Sequence, residues 1–222
     1  LAVLATAGFF SWRAWDNSRH TECTYADAPV DWDEIVASTR AQLEQAPAEQ
    51  KAEGEAFLTM LEEGAAKART AGKPEDRARN SGTVNLTFKT NRGEVPMTLN
   101  REQAACNVNA VVSLARGGFY DGTACHRLAI QDGLNILQCG DPTGTGAGSP
   151  GWSSPDEEPT FLETETLDPQ LEALGMTPKA TYPRGTVAIA NRNDEQSGIT
   201  DTGSAQFFIV SKDSQLPPTL SV

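Results

Sequence analysis

The stretch from Gly118 to Gly148 constrains this chain more than any other part. It reads GFYDGTACHRLAIQDGLNILQCGDPTGTGAG. Two short strand-like runs, Ala124-Cys125-His126-Arg127-Leu128 and Leu134-Asn135-Ile136-Leu137-Gln138, stand close together in it. A Gly-rich loop opened by Gly140-Asp141-Pro142 follows them. A third run, Ser204-Ala205-Gln206-Phe207-Phe208-Ile209, lies further on. Such runs are long enough for strands and too short for typical helices.

The surrounding sequence keeps the same short-strand style. From Thr83, Val84, Leu86 and Phe88 alternate with polar residues, and after Asn91-Arg92-Gly93 the pattern continues through Val95, Met97 and Leu99. That is a β-hairpin signature. Asn100 to Gln103 reads as a helix cap, Val108, Val111, Val112 and Ala115 as the apolar face of the helix, and Gly117-Gly118 as its end. Further strands are expected over Thr186 to Asn191 and Phe207 to Val210. Hairpin, helix and many short strands predict a mainly β domain over residues 82–222. Its expected architecture is an antiparallel closed barrel with a capping helix.

Residues 16–81 read as a polar linker with a candidate helical hairpin. Asp31-Trp32-Asp33-Glu34 has the shape of a capping box. Trp32, Ile35, Val36, Thr39 and Leu43 then recur at helical spacing until Pro47. A second helical stretch carries Phe57, Leu58, Leu61 and Ala65 on one face. Its narrow apolar stripe, amid much Ala, Glu and Gln, favours a spacer over a docked or partner-binding hairpin. Residues 1–15 are read as part of a transmembrane anchor or as a signal segment, because Leu1 to Phe10 carry no charge and Trp12 and Trp15 follow. A buried helix is the remaining alternative. The anchor reading implies a single-pass protein of the cell membrane, with everything after the span outside the cytoplasm.

Composition narrows the partners. A net charge of −12, from 18 basic and 30 acidic residues, excludes nucleic acid as a partner and disfavours an anionic lipid surface. The four cysteines form no CxxC pair, and the two histidines, His20 and His126, are far apart, so no metal site is expected. Outside the cytoplasm the even cysteine count points to disulfides, with three pairings open. Nothing in the sequence sets an oligomeric state.

Four segments together carry a family resemblance. Phe119 to Arg127 matches FYDGT…HR, Gln138 to Gly146 matches Q-x-GDPTGTG, Ala188 to Asn191 matches A-x-AN, and Gln206 to Phe208 matches QFF. In that order they resemble the cyclophilins, the peptidyl-prolyl cis/trans isomerases, over roughly Gly82 to Val222. The resemblance implies an eight-stranded barrel capped by two helices, with the last strand and second helix beyond Val222. It also implies proline-containing segments of client proteins as partners. Arg127 takes the catalytic position, and Gln138 holds it and bonds the substrate backbone. Asn191, with Ala190 beside it, anchors the residue before proline. Phe208 matches the floor of the proline pocket, Ile136 and Leu216 its walls, and Gln206 and Gly146 its rim. Cys125 and Cys139 become disulfide candidates, because the fold lays their strands side by side. With the insertion Ile130 to Gly133, they make the chain similar to actinobacterial, membrane-anchored members. Asn135 replaces a common pocket Phe, Arg192 a small residue, Gln215 a Trp and Leu220 a rim His. Leu134 is the alternative pocket residue if the strand slips.

The chemistry needs no cofactor, metal or nucleophile, since no bond is broken. Amide resonance sets a barrier of about 18–20 kcal/mol. A donor aimed at the prolyl nitrogen localises its lone pair and weakens the C–N double bond, which favours the twisted amide over the planar one. Arg127 suits that role, being always charged and rich in directed donors. His126 should face away from it, because neighbouring strand residues alternate. The same reasoning places one of Phe207 and Phe208 in the core and the other in the pocket. The resulting expectation is an isomerase that assists folding of exported proteins. The alternatives are a non-catalytic cyclophilin-like module that binds proline-containing segments, and an extension that recruits a partner.

Overall fold

The computed structural model describes residues 15–194 and 197–222. The N-terminal segment read as an anchor, residues 1–15, lies apart from Trp15 outside the described residues. Among those residues no helix is long and apolar enough to cross a membrane.

The chain enters through two short strands, β1 (His20–Glu22) and β2 (Ala26–Asp27). Helices α1 (Trp32–Gln45) and α2 (Ala48–Ala65) follow. Asp31 caps α1, its carboxylate accepting from the Glu34 N–H at 2.9 Å. Pro47 separates the helices, since its fixed φ and missing N–H suit the start of the second. Strand β3 (Arg77–Arg79) then pairs antiparallel with β1.

Next come the hairpin β4 (Thr83–Thr90) and β5 (Gly93–Asn100) and helix α3 (Ala105–Arg116). The helix cap differs from expectation. Asn100 bonds the Glu102 N–H, whereas the start of α3 is held by Glu157, which accepts from the N–H groups of Cys106 at 2.9 Å and Asn107 at 2.8 Å. A carboxylate there satisfies orphan donors and meets the positive end of the helix dipole.

The remaining elements are β6 (Arg127–Gln131), β7 (Leu134–Cys139), β8 (Trp152–Ser153), α4 (Pro169–Ala173), β9 (Ala180–Tyr182), β10 (Val187–Ile189), β11 (Phe207–Val210) and β12 (Ser214–Leu216). A four-stranded antiparallel sheet in the order β10-β11-β7-β6 forms the centre. Four two-stranded ladders complete the architecture: β1-β3, β2-β8, β4-β5 and β9-β12. The fold is mainly β. The expected eight-stranded closed barrel is not one continuous hydrogen-bonded ladder among the described residues.

Two apolar clusters include residues from opposite faces of the central sheet. One joins Phe207, Cys139 and Ile189 to α3, to Met97 of β5 and to Phe119 and Tyr120. The ring of Phe207 meets those of Phe88 at 4.9 Å and Tyr120 at 5.9 Å. The other joins Ile136, Phe208, Val210 and Ala188 to Tyr182, Ala180 and Leu216. The adjacent Phe207 and Phe208 thus divide between the faces, as strand alternation requires.

The segments that flank the helical hairpin are packed, while α1 within it buries no residue. Cys23 is bonded to Cys106 at the start of α3. The Tyr25 hydroxyl donates to Cys106 O at 2.8 Å, and the Tyr25 ring meets Trp152 edge-on at 5.4 Å. Trp152 Nε1 donates to Ala71 O at 3.0 Å. A few anchors, not a broad apolar stripe, hold the extension, so composition alone did not show it.

Candidate active site

The central sheet brings the predicted side chains together by register. Arg127 on β6 pairs with Gln138 on β7, Gln138 with Phe208 on β11, and Phe208 with Ala188 on β10. Directly opposed residues share a face, so all four form one row across the sheet. Arg127 Nη1 donates to Gln138 Oε1 at 3.3 Å, and Gln138 Nε2 donates to Gln206 Oε1 at 3.0 Å. Gln206 Nε2 in turn donates to Gly146 O at 3.0 Å and Gly148 O at 2.9 Å. The guanidinium of Arg127 is exposed.

An open cavity of about 540 Å³ adjoins this row, with Gln138, Gly146, Ala190, Asn191 and Gln206 among its lining residues. Asn191 Nδ2 reaches Thr219 O at 3.4 Å, and Ala190 N–H donates to Gln206 O at 2.9 Å. Ile136, Phe208 and Leu216 do not line that cavity. They form the apolar cluster on the same sheet face, where Phe208 is only 3% exposed.

Asn135 needs correction as a pocket residue. It stands opposite Ile130, on the face away from Ile136 and Gln138, and its Nδ2 donates to Gln131 O at 3.1 Å. Leu134 packs against the Phe208 cluster instead. The insertion Ile130 to Gly133 lengthens β6 through Gln131 and supplies the turn at Asp132 and Gly133, so register decides which of the two neighbours faces the groove.

The Gly-rich loop is built around Asp141, which is fully buried. Its carboxylate accepts from Thr143 N at 2.8 Å, Thr143 Oγ1 at 2.7 Å, Gly146 N at 2.6 Å and Gly148 N at 3.2 Å. Gly146 has φ of 81°, a value that favours glycine. The motif contained Asp141, but its role in shaping the loop was not read from it. Arg192 was noted only as a departure, yet its Nη2 donates to Gly146 O at the cavity rim. His126 lies near Gly146, and neither of its buried ring nitrogens has a hydrogen-bond partner. Burial holds its pKa below the ordinary value, Asp141 raises it and Arg127 lowers it further.

Both disulfides are formed, Cys125–Cys139 beside the row and Cys23–Cys106 in the extension, and no cysteine is free. The first is the pairing that the resemblance implied.

Residues 85–217 match the family model for cyclophilin type peptidyl-prolyl cis-trans isomerases. The chain belongs to the cyclophilin family. It is 41% identical over 154 residues to a probable peptidyl-prolyl cis-trans isomerase B of Mycobacterium tuberculosis, covering 69% of this chain and 45% of the relative. It is 42% identical over 153 residues to the corresponding Mycobacterium leprae protein, covering 68% and 46%. This cyclophilin chain therefore spans just under half the length of those relatives. A crystal structure of a Cryptosporidium parvum cyclophilin type isomerase is 24% identical, covers 63% of this chain and 74% of that one, and superposes with a TM-score of 0.43.

Proposed function

We propose that this chain is a peptidyl-prolyl cis/trans isomerase acting on proline-containing segments of client proteins. The row Arg127–Gln138–Phe208 on one face of the central sheet carries the reading. It sets a permanent cation one strand away from an apolar patch, as an X–Pro substrate requires. The proline ring rests against Phe208, Ile136 and Leu216. Asn191 and Ala190 hold the backbone before it, along a rim that includes Gln206 and Gly146. Gln138 bonds the substrate backbone and steadies Arg127. Arg127 then donates to the prolyl nitrogen as it pyramidalises, which stabilises the twisted amide more than either planar form. No covalent intermediate forms.

The strands close, on this reading, into the family's eight-stranded barrel. The clients are exported proteins, and the chain works on the outer side of the cell membrane, anchored by its N-terminal segment. Two disulfides that use all four cysteines support an oxidising compartment.

A protease-coupled assay on a proline-containing peptide tests the activity. The wild type accelerates isomerisation, and Arg127→Ala loses most of that acceleration while still folding. Equal rates for the two proteins would leave a non-catalytic binding module.

A further inference from the structure

The loop from Asp141 to Trp152 is gripped from two sides. On one side Gln206 Nε2 donates to the carbonyls of Gly146 and Gly148. On the other sits the N-terminal extension. Ala28 N–H donates to Gly151 O at 2.9 Å, and Ala71 N–H donates to Pro150 O at 3.0 Å. Gly64, near the end of α2, is buried against the loop's first turn. A Cβ there would lie 3.3 Å from Thr143 O and inside the van der Waals shell of Thr145 Cγ2.

We infer that the extension clamps this loop, and that Gly64 is a positioning residue for Arg127, acting through Thr145, Gly146, Gln206 and Gln138. The catalytic consequence rests on the isomerase reading.

The relay has a fixed direction. An amide NH₂ has two protons, and both of those on Gln206 go to loop carbonyls. Its oxygen is left to accept from Gln138 Nε2. That bond turns Gln138 Oε1 toward Arg127. Reversing either amide would set oxygen against oxygen. Thr145 cannot yield by rotating its side chain alone. Its hydroxyl is bonded to Thr143 Oγ1 at 2.8 Å and accepts from Ala147 N at 3.1 Å. A push on its methyl group therefore displaces the backbone at Gly146, and with it the carbonyl that orients Gln206.

Gly64→Ala in the full chain tests the clamp. Alanine is the better helix former, so an effect confined to α2 leaves catalysis intact. The clamp instead predicts a fall in kcat/KM of roughly tenfold, the scale of a small misplacement of a catalytic group. It also predicts a shift of the Arg127 Nε–Hε resonance. Thr145→Ser removes the obstructing methyl group and keeps the hydroxyl. Added to Gly64→Ala, it restores both readouts. An unchanged Gly64→Ala variant, or a loss that Thr145→Ser does not relieve, overturns the clamp. A wild type with no isomerase activity overturns the functional reading alone, because the resonance and its rescue still decide the positioning role.

Discussion

Arg127 and Phe208 lie on the same face of the central sheet, two strands apart, with Gln138 on the strand between them as cross-strand partner to both. That arrangement places a guanidinium beside an apolar cluster without the help of a loop.

Gln138 steadies Arg127 through a single hydrogen bond of 3.3 Å at an exposed position. Such a bond is worth about 0.5–1.5 kcal/mol. Gln138→Ala should therefore lower kcat/KM by about twofold to tenfold. Arg127→Ala should cost more, because the donor itself is gone. A protease-coupled comparison of the two variants checks this ranking.

Restoring an aromatic residue at Asn135 should not improve the site. Asn135 is 8% exposed, its side chain stands on the face away from the groove, and its backbone N–H donates to Ser214 Oγ at 2.9 Å. Asn135→Phe adds volume to a filled position, which costs about 1–3 kcal/mol, and breaks the side-chain bond to Gln131 O. Lower stability in denaturant titration, with no gain in peptide affinity, is the expected result.

The disulfides should differ in their contributions. Cys23–Cys106 closes a separation of 83 residues, Cys125–Cys139 one of 14. Chain-entropy arguments give about 4–5 kcal/mol for the long loop and about 3 kcal/mol for the short one. Replacing each pair by serines and comparing unfolding free energies should show the larger loss for Cys23–Cys106, which also ties the extension to α3.

His126 makes stability depend on pH. Burial lowers its folded-state pKa below the unfolded value of about 6.5. In that window the unfolded chain binds more protons, so unfolding free energy rises with pH. The contribution of His126 is complete above the unfolded pKa and is lost as pH falls through the lower folded value. His126→Gln, which cannot titrate, should flatten that part of the curve in denaturant titrations run across acid pH.

Much of the site was legible because its chemistry is local. Arg127, Gln138, Gln206 and Phe208 sit in short segments that match the cyclophilin motifs in order, and the resemblance also implied the disulfide Cys125–Cys139 between neighbouring strands. The distant contacts were not legible. Glu157 at the head of α3 and Arg192 on Gly146 O each depend on where a remote segment returns. Nor could composition show that the extension docks, because a disulfide, two aromatic rings and one glycine hold it in place of an apolar face.

The sequence by itself determined the hairpin over Thr83–Asn100, the two helices before it, the helix after it and the runs that carry Arg127, Gln138 and Phe208, since periodicity and glycines act over a few residues, while the four family-like segments named the groups available for catalysis. Tertiary structure alone decided that Leu134 and not Asn135 meets the Phe208 cluster, because a shift of one residue in register exchanges the two faces of a strand. It alone decided also that α2 rests on the loop beside Gln206, because that contact depends on the long-range closure of the chain.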